Sequence, residues 1–174
     1  MMKDDETREI VIASYDPRWP QLYIGEALRL SSVLGEQVAS IHHVGGTSVH
    51  GMCARPVIDI IVEVRDFEGI ERYHPPMRAY GYMPLAEAST KTVHVFFREN
   101  EEGIRTHKIL LVREGDDDVR RLVLLRNFLA ENPEEAKEYC ALKEELARRY
   151  GDDPEKYEQG KADYIVRIQE KLDE

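Results

Sequence analysis

Cysteine is scarce in this chain, with two in 174 residues, Cys53 and Cys140. They form no CxxC and no metal-ligand spacing, which argues against a zinc ribbon or a disulfide-stapled secreted scaffold. With no export signal beside them, both are expected as free thiols. Long hydrophobic runs are lacking as well, and none approaches the ~18 residues of a membrane span. The first residues, Met1-Met2-Lys3-Asp4-Asp5-Glu6, are charged and mostly acidic. They lack the basic start and apolar middle of a signal peptide, so the expected compartment is the cytosol, with no membrane partner. Positive charge is in deficit: 24 Lys and Arg stand against 34 Asp and Glu, a formal net charge of −10. That field repels a phosphate backbone and disfavours broad nucleic-acid binding. The acid gathers at 99–102, 114–118 and 152–155, which read as solvated turns and helix N-termini.

What is present suffices for one buried core, with 42% apolar residues, and residues 1–174 read as a single domain. Residues 9–15 alternate as a strand does. Asp16-Pro17-Arg18-Trp19-Pro20 is a turn, and Pro20 opens a helix that Gly35 stops. A strand follows over 37–44, a loop over 45–55, and a nearly continuous apolar strand over 56–64, as in a strand covered on both faces. Residues 66–80 read as a poorly marked helix cut by Pro75 and Pro76. Two β runs, 91–98 and 105–112, flank a hairpin loop at 99–103. Three helices complete the chain, one begun by Asp116, Asp117 or Asp118 and the others by Pro133 and Pro154. The sheet-rich part (about 9–112) precedes the helical part (about 116–172), which predicts an α+β fold with a mixed sheet and helices banked against it.

The chemistry concentrates in Val44-Gly45-Gly46-Thr47-Ser48-Val49-His50-Gly51 and in Pro56-Val57-Ile58-Asp59-Ile60-Ile61-Val62. Two glycines let the backbone turn sharply and a ligand approach closely, and successive N–H donors make an anion-binding concavity. Asp59 sits inside an apolar strand, where an unpaired carboxylate is costly. It needs a metal, a cation or hydrogen bonds, and Arg55 or backbone N–H groups are the structural alternative. Residues 59, 61 and 63 share a face. Position 61 is Ile, so a two-metal site is absent from this strand, and a single hard cation on Asp59 and Glu63 remains.

The histidines divide by the same alternation. His42 and His43 point to opposite faces. His94 and His107 lie on the two strands of the hairpin, and a tip near Asn100 and Glu101 would set them opposite each other. They would then hold a cation or a phosphate, or form a pair beside the core. Arg126 and Lys161 are cations within amphipathic helices, and Tyr157 lies four residues before Lys161 on the same face, a clamp for a triphosphate and a ring. Trp19 reads as a core anchor; His50 and His74 are unassigned.

Several of these stretches together resemble the GrpB family, also called UPF0157. They are Tyr15-Asp16-Pro17-Arg18-Trp19-Pro20, His43 to Met52, Arg55-Pro56-Val57-Ile58-Asp59-Ile60, His94-Val95-Phe96, Thr106-His107, Leu125-Arg126-Asn127-Phe128-Leu129, Tyr139-Cys140-Ala141-Leu142-Lys143 and Tyr157 to Ile165. The resemblance covers the chain from about residue 9. It implies the polymerase-β-type nucleotidyltransferase fold, with Gly45, Gly46, Thr47 and Ser48 as a phosphate loop and Asp59 as a metal-site acid. Gly46 stands where Ser is common in the family, His50 where Pro is, Arg55 where Lys is and Leu110 where His is. Ile61 stands where the wider superfamily keeps a second Asp.

The expected function is metal-dependent transfer of a nucleotidyl group from an NTP to an acceptor the sequence does not identify. Asp59, His94 and His107 are the expected catalytic residues. Gly45, Gly46, Thr47, Ser48, Arg55, Arg126, Tyr157 and Lys161 would bind phosphate and nucleotide, and Asp59 with Glu63 would hold Mg²⁺ or Mn²⁺. The alternative is a non-catalytic regulatory or chaperone-like module that binds a nucleotide or phosphorylated metabolite.

Overall fold

The structure, a computed structural model, describes residues 9–173, so the acidic amino-terminal stretch lies outside the described residues. Helix α1 (Trp19–Leu34) carries Pro20 in its first turn and ends at Gly35, whose φ of 58° is open to glycine at little cost. Strands β1 (Val38–Val44) and β2 (Ile58–Val64) follow, separated by the glycine loop. After the short α2 (His74–Ala79) come β3 (Met83–Pro84), β4 (Val93–Glu99) and β5 (Arg105–Arg113). Helices α3 (Asp117–Glu131), α4 (Pro133–Tyr150) and α5 (Pro154–Asp173) complete the chain, and the Asp116 side chain caps α3 by accepting from the Asp118 N–H at 2.9 Å.

The strands form one mixed sheet in the order β1-β2-β5-β4-β3, with β2 and β5 parallel and the other pairs antiparallel. The register fixes what each face carries. Ile58, Ile60, Val62 and Val64 share one face with Ile109, Leu111 and Phe96. They pack against Trp19, Leu30 and Leu34 of α1 and Met77 of α2. Asp59, Ile61 and Glu63 share the other face with Lys108, Leu110 and Val112. There Ile61, Val44 and Val112 meet Val119 of α3. Helices α3, α4 and α5 close on one another through Leu125, Leu129, Ala136, Tyr139, Tyr164 and Ile168. Among the described residues no helix is long and apolar enough to cross a membrane.

Three expectations need correction. Residues 9–15 join no strand pair: Ala13 alone bridges to Ala54, while the Ile10 side chain packs on Leu146 and Tyr157. The partner of this alternating run is a loop, which offers no ladder. Residues 66–80 are not one helix, because Pro75 and Pro76 fit only a first turn, so α2 starts at His74 after a separate 3₁₀ turn at Ile70–Tyr73. The two cysteines are joined as a disulfide, with Cα atoms 5.7 Å apart. Their separation of 87 residues hides this, because the fold alone lays the end of the glycine loop on α4.

Candidate functional site

The loop after β1 is shaped by its glycines. Gly45 has φ +74°, and a Cβ there would stand 2.7 Å from Asp59 Oδ2. Only glycine lets the loop close this tightly over the carboxylate. A Cβ on Gly46 would meet Ala54 Cβ at 2.8 Å and Lys143 Nζ at 2.9 Å, so a serine here would have to displace the lysine tip. Thr47 and Ser48 do not line the cavity beside the loop, and their hydroxyls are engaged by protein groups. Thr47 Oγ1 pairs with His43 Nε2 at 2.9 Å, and the Ser48 hydroxyl donates to the Gly45 carbonyl.

Beside this loop lies a cavity of about 220 Å³ between the sheet and the three C-terminal helices. Gly45, Gly46, Arg55, Asp59, Arg126, Tyr157 and Lys161 all line it, so the fold gathers residues from positions 45 to 161 at one place. Lys143 is a lining residue that sequence reasoning missed as a site residue. The signal was available: Lys143 falls on the buried stripe of α4 with Ala136, Tyr139 and Leu146. It is 5% exposed and donates to the Cys53 carbonyl at 2.6 Å. Arg126 donates to the His43 carbonyl at 3.0 Å, tying α3 to the end of β1. Lys161 Nζ lies over the buried Tyr157 ring, 4.7 Å from its centroid, and 2.9 Å from Glu158. The opposite wall is apolar, built from Leu122, Leu125, Leu129 and Ile165.

Burial pushes the Asp59 carboxyl up to about 6, against the pull of Lys108, Arg55 and Lys161. Burial, with Lys161 adding to it, brings the Lys143 ammonium down to about 8. Both groups are therefore poised to respond to a charged ligand.

The structure does not bring Glu63, His94 or His107 to this cavity. Glu63 shares the face of Asp59 but accepts from the Ser40 hydroxyl, from His42 Nε2 at 2.8 Å and from the Gly115 N–H at 2.8 Å. Burial opposes its ionisation, yet these bonds together hold it below the usual range. With Ile61 packed in the core and Glu63 engaged elsewhere, Asp59 is the single carboxylate lining the cavity among the described residues. That donor fits one hard cation completed by phosphate oxygens and water, and does not fit a metal pair.

His94 and His107 are not opposite each other: the register pairs His94 with Leu111 and His107 with Arg98. Both lie on the α1 side of the sheet. His94 Nδ1 meets His74 Nε2 at 3.1 Å, and His107 lies 3.8 Å from Glu26 of α1, on the far face from Asp59. His43 also faces α1, stacked on Tyr23 with ring centroids 4.6 Å apart. Burial first, then Arg126, pushes it down to about 4.

Comparison with known proteins bears on family and fold. A family model described as GrpB protein matches residues 9–171. UPF0157 protein YqkA of Bacillus subtilis is 34% identical over 163 residues, covering 94% of this chain but 47% of its own length, so the chain spans about half of that relative. UPF0157 protein BH1888 of Halalkalibacterium halodurans is 31% identical, covering 91% of this chain and 80% of its own length. The crystal structure of GrpB from Enterococcus faecalis superposes with a TM-score of 0.83 at 28% identity, over 92% of this chain and 96% of that one. The poly(U) polymerase Cid1, in its complex with the short product ApU, superposes with a TM-score of 0.55 at 12% identity, over 78% of this chain and 43% of Cid1. That likeness concerns the fold alone. A family match over nearly all the described residues and a relative 31% identical, 80% of which is covered, together show that this protein belongs to the GrpB family, on a nucleotidyltransferase-like fold.

Proposed function

We propose that the cavity binds the polyphosphate of a nucleoside triphosphate and, with one Mg²⁺ or Mn²⁺ on Asp59, supports nucleotidyl transfer to an acceptor. The observation that carries this reading is the convergence of Arg55, Arg126, Lys143 and Lys161 on a single carboxylate, in a chain whose net charge is −10. Four cations gathered against the overall charge suit a multiply charged anion. The Gly45–Asp59 approach brings loop and carboxylate close enough to share one phosphate group and its counter-ion. Asp59 would hold a divalent cation there, which would supply neutralisation of charge on the phosphate oxygens. Arg126 and Lys143 position the phosphates from α3 and α4, Tyr157 and Lys161 from α5, and the apolar wall takes the flat part of the ligand. The fold neighbour Cid1, described as a poly(U) polymerase, has been solved with bound MgGTP, which supports an NTP as donor. An NTP donor in turn implies a cytoplasmic location.

A second reading has an observation in its favour. Ile61 is packed into the core and Glu63 is engaged by Ser40 and His42, which leaves too few carboxylates for two-metal catalysis. On that reading the site binds a nucleotide or a phosphorylated metabolite without turnover and signals to a partner.

Thermal unfolding with each of the four NTPs, with and without Mg²⁺ or Mn²⁺, tests the first step. A metal-dependent rise in Tm that Asp59→Asn abolishes supports the donor site, and no rise with any nucleotide overturns it. Pyrophosphate release measured on the same samples then separates transfer from binding alone.

A further inference from the structure

The only two cysteines of the chain, far apart in sequence, meet at the rim of the candidate site. Cys53 closes the segment that begins at Gly45. Cys140 lies on α4 one turn before Lys143, whose ammonium donates to the Cys53 carbonyl at 2.6 Å. The disulfide therefore clamps the helix that carries Lys143 to the end of the glycine loop. Cys53 is held from its other side as well, because the next residue, Ala54, exchanges two backbone bonds with Ala13 at 2.8 and 3.0 Å. Cys53 is buried and Cys140 half-buried. Cys140 also lines a second cavity of about 260 Å³, together with His50, Gly51, Met52 and Ala136. Its sulfur is thus the one presented to a reagent from outside the candidate site.

We propose that Cys53–Cys140 is a thiol–disulfide exchange site whose oxidation state sets the affinity of the neighbouring cavity for polyphosphate. This inference rests on reading that cavity as a polyphosphate site. The reductant is a dithiol. One of its thiolates attacks Cys140 Sγ, the Cys53–Cys140 bond breaks, and Cys53 leaves as a thiolate beside the Lys143 ammonium, then takes a proton from water. The second thiol of the reductant loses its proton and attacks the mixed disulfide, releasing Cys140, which is protonated in turn. Two electrons and two protons have moved to the cysteine pair, and the reductant departs as its own disulfide. A small-molecule disulfide reverses the exchange. In the dithiol form, the turn bearing Lys143 is tied to the loop by the Lys143 bond to the Cys53 carbonyl, the Cys53 N–H contact with Cys140 Sγ and packing, and the preorganised cation is looser.

The test uses the full chain and inorganic triphosphate with excess Mg²⁺, with binding followed calorimetrically after treatment with oxidised glutathione or with dithiothreitol. Reduction is expected to weaken binding at least fivefold. A Cys53→Ser/Cys140→Ser double variant is expected to bind like the reduced protein under both treatments. Equal affinity within twofold for the oxidised and reduced wild type overturns the proposal. If neither form binds triphosphate, the polyphosphate reading fails, and hydrogen exchange over 45–54 and 139–146 judges the exchange site by itself. Faster exchange on reduction, absent in the double variant, supports a redox-gated clamp, and identical exchange overturns it.

Discussion

On one face of the sheet, Asp59 stands among cations of which two are bonded to neutral carbonyls: Arg126 to His43 and Lys143 to Cys53. On the other face, Glu26 is buried within α1, 4% exposed, and is saturated by its neighbours. The Tyr82 hydroxyl donates to one of its oxygens, Arg98 donates to the other at 2.8 Å, and Arg29 lies 4.0 Å away. Both are acids in apolar elements, yet their surroundings point to different roles. Glu26 has its charge answered inside the protein, which is what a brace between helix and sheet requires. Asp59 sits under a glycine loop, beside Arg126 and Lys143, which donate to neutral carbonyls, and burial raises it to about 6. An acid left in that condition suits an incoming ligand.

The largest effect that would break this contrast lies on the Glu26 side. Glu26→Ala strands Arg98 and the Tyr82 hydroxyl and is expected to cost about 3–5 kcal/mol of stability, measured by urea unfolding, while triphosphate affinity stays within twofold. A loss of affinity in a stably folded Glu26→Ala would show that the two faces act as one site. Asp59→Asn is expected to behave in the opposite way. Metal-dependent nucleotide affinity drops about a hundredfold, ~2.7 kcal/mol, while the fold is kept. Stability at pH 7.5 rises, because the folded value of Asp59 near 6 lies above the ordinary carboxyl value of 3.8. The fold thus favours the protonated acid, and that contribution, full below about pH 4, is lost as pH rises through 6. Asparagine removes the penalty above pH 6 and gains nothing below pH 4. Unfolding curves for both proteins across this range would show a constant difference if Asp59 were saturated as Glu26 is.

Much of this was legible in the residues, and what was not has physical causes. The loop glycines, Asp59 and the Tyr157–Lys161 pair of α5 were visible because each is a local pattern: a turn, an acid in an apolar run, a pair four residues apart. The helices after residue 116 were legible through their prolines, acids and apolar periodicity. The histidines misled because a strand's alternation says which residues share a face without saying which face meets the site. The hairpin register, with His107 beside Arg98 and His94 beside Leu111, decided that. Glu63 misled similarly, since its capture by Ser40 and His42 depends on the β1–β2 pairing. Lys143 and the Cys53–Cys140 bond were hidden because both join the glycine loop to α4, some ninety residues away, and no local pattern carries such a contact.

Lys143 gives the next largest effect. Lys143→Met keeps the shape of the stem and removes the charge, and triphosphate affinity is expected to fall about tenfold, in line with one charge-assisted hydrogen bond. Lys161→Met, already partnered by Glu158, should lose less, about threefold. If Lys161 mattered more than Lys143, the phosphates would lie toward α5 rather than at the glycine loop.

The smallest effect is the most discriminating, because it reads both poised groups of one face at once. Asp59 must be ionised to hold a cation, so metal-dependent nucleotide affinity should fall as pH drops through about 6. Lys143 must be charged to hold phosphate, so affinity should fall again as pH rises through about 8. Each limb involves one proton and therefore cannot exceed tenfold per pH unit. Lys143→Met should erase the alkaline limb alone, and Asp59→Asn the acid limb together with the metal dependence. His94→Gln and His107→Gln should leave both limbs in place, since those imidazoles belong to the other face. A bell that moved with either histidine would carry the chemistry across the sheet and make the cluster around Glu26 part of the site.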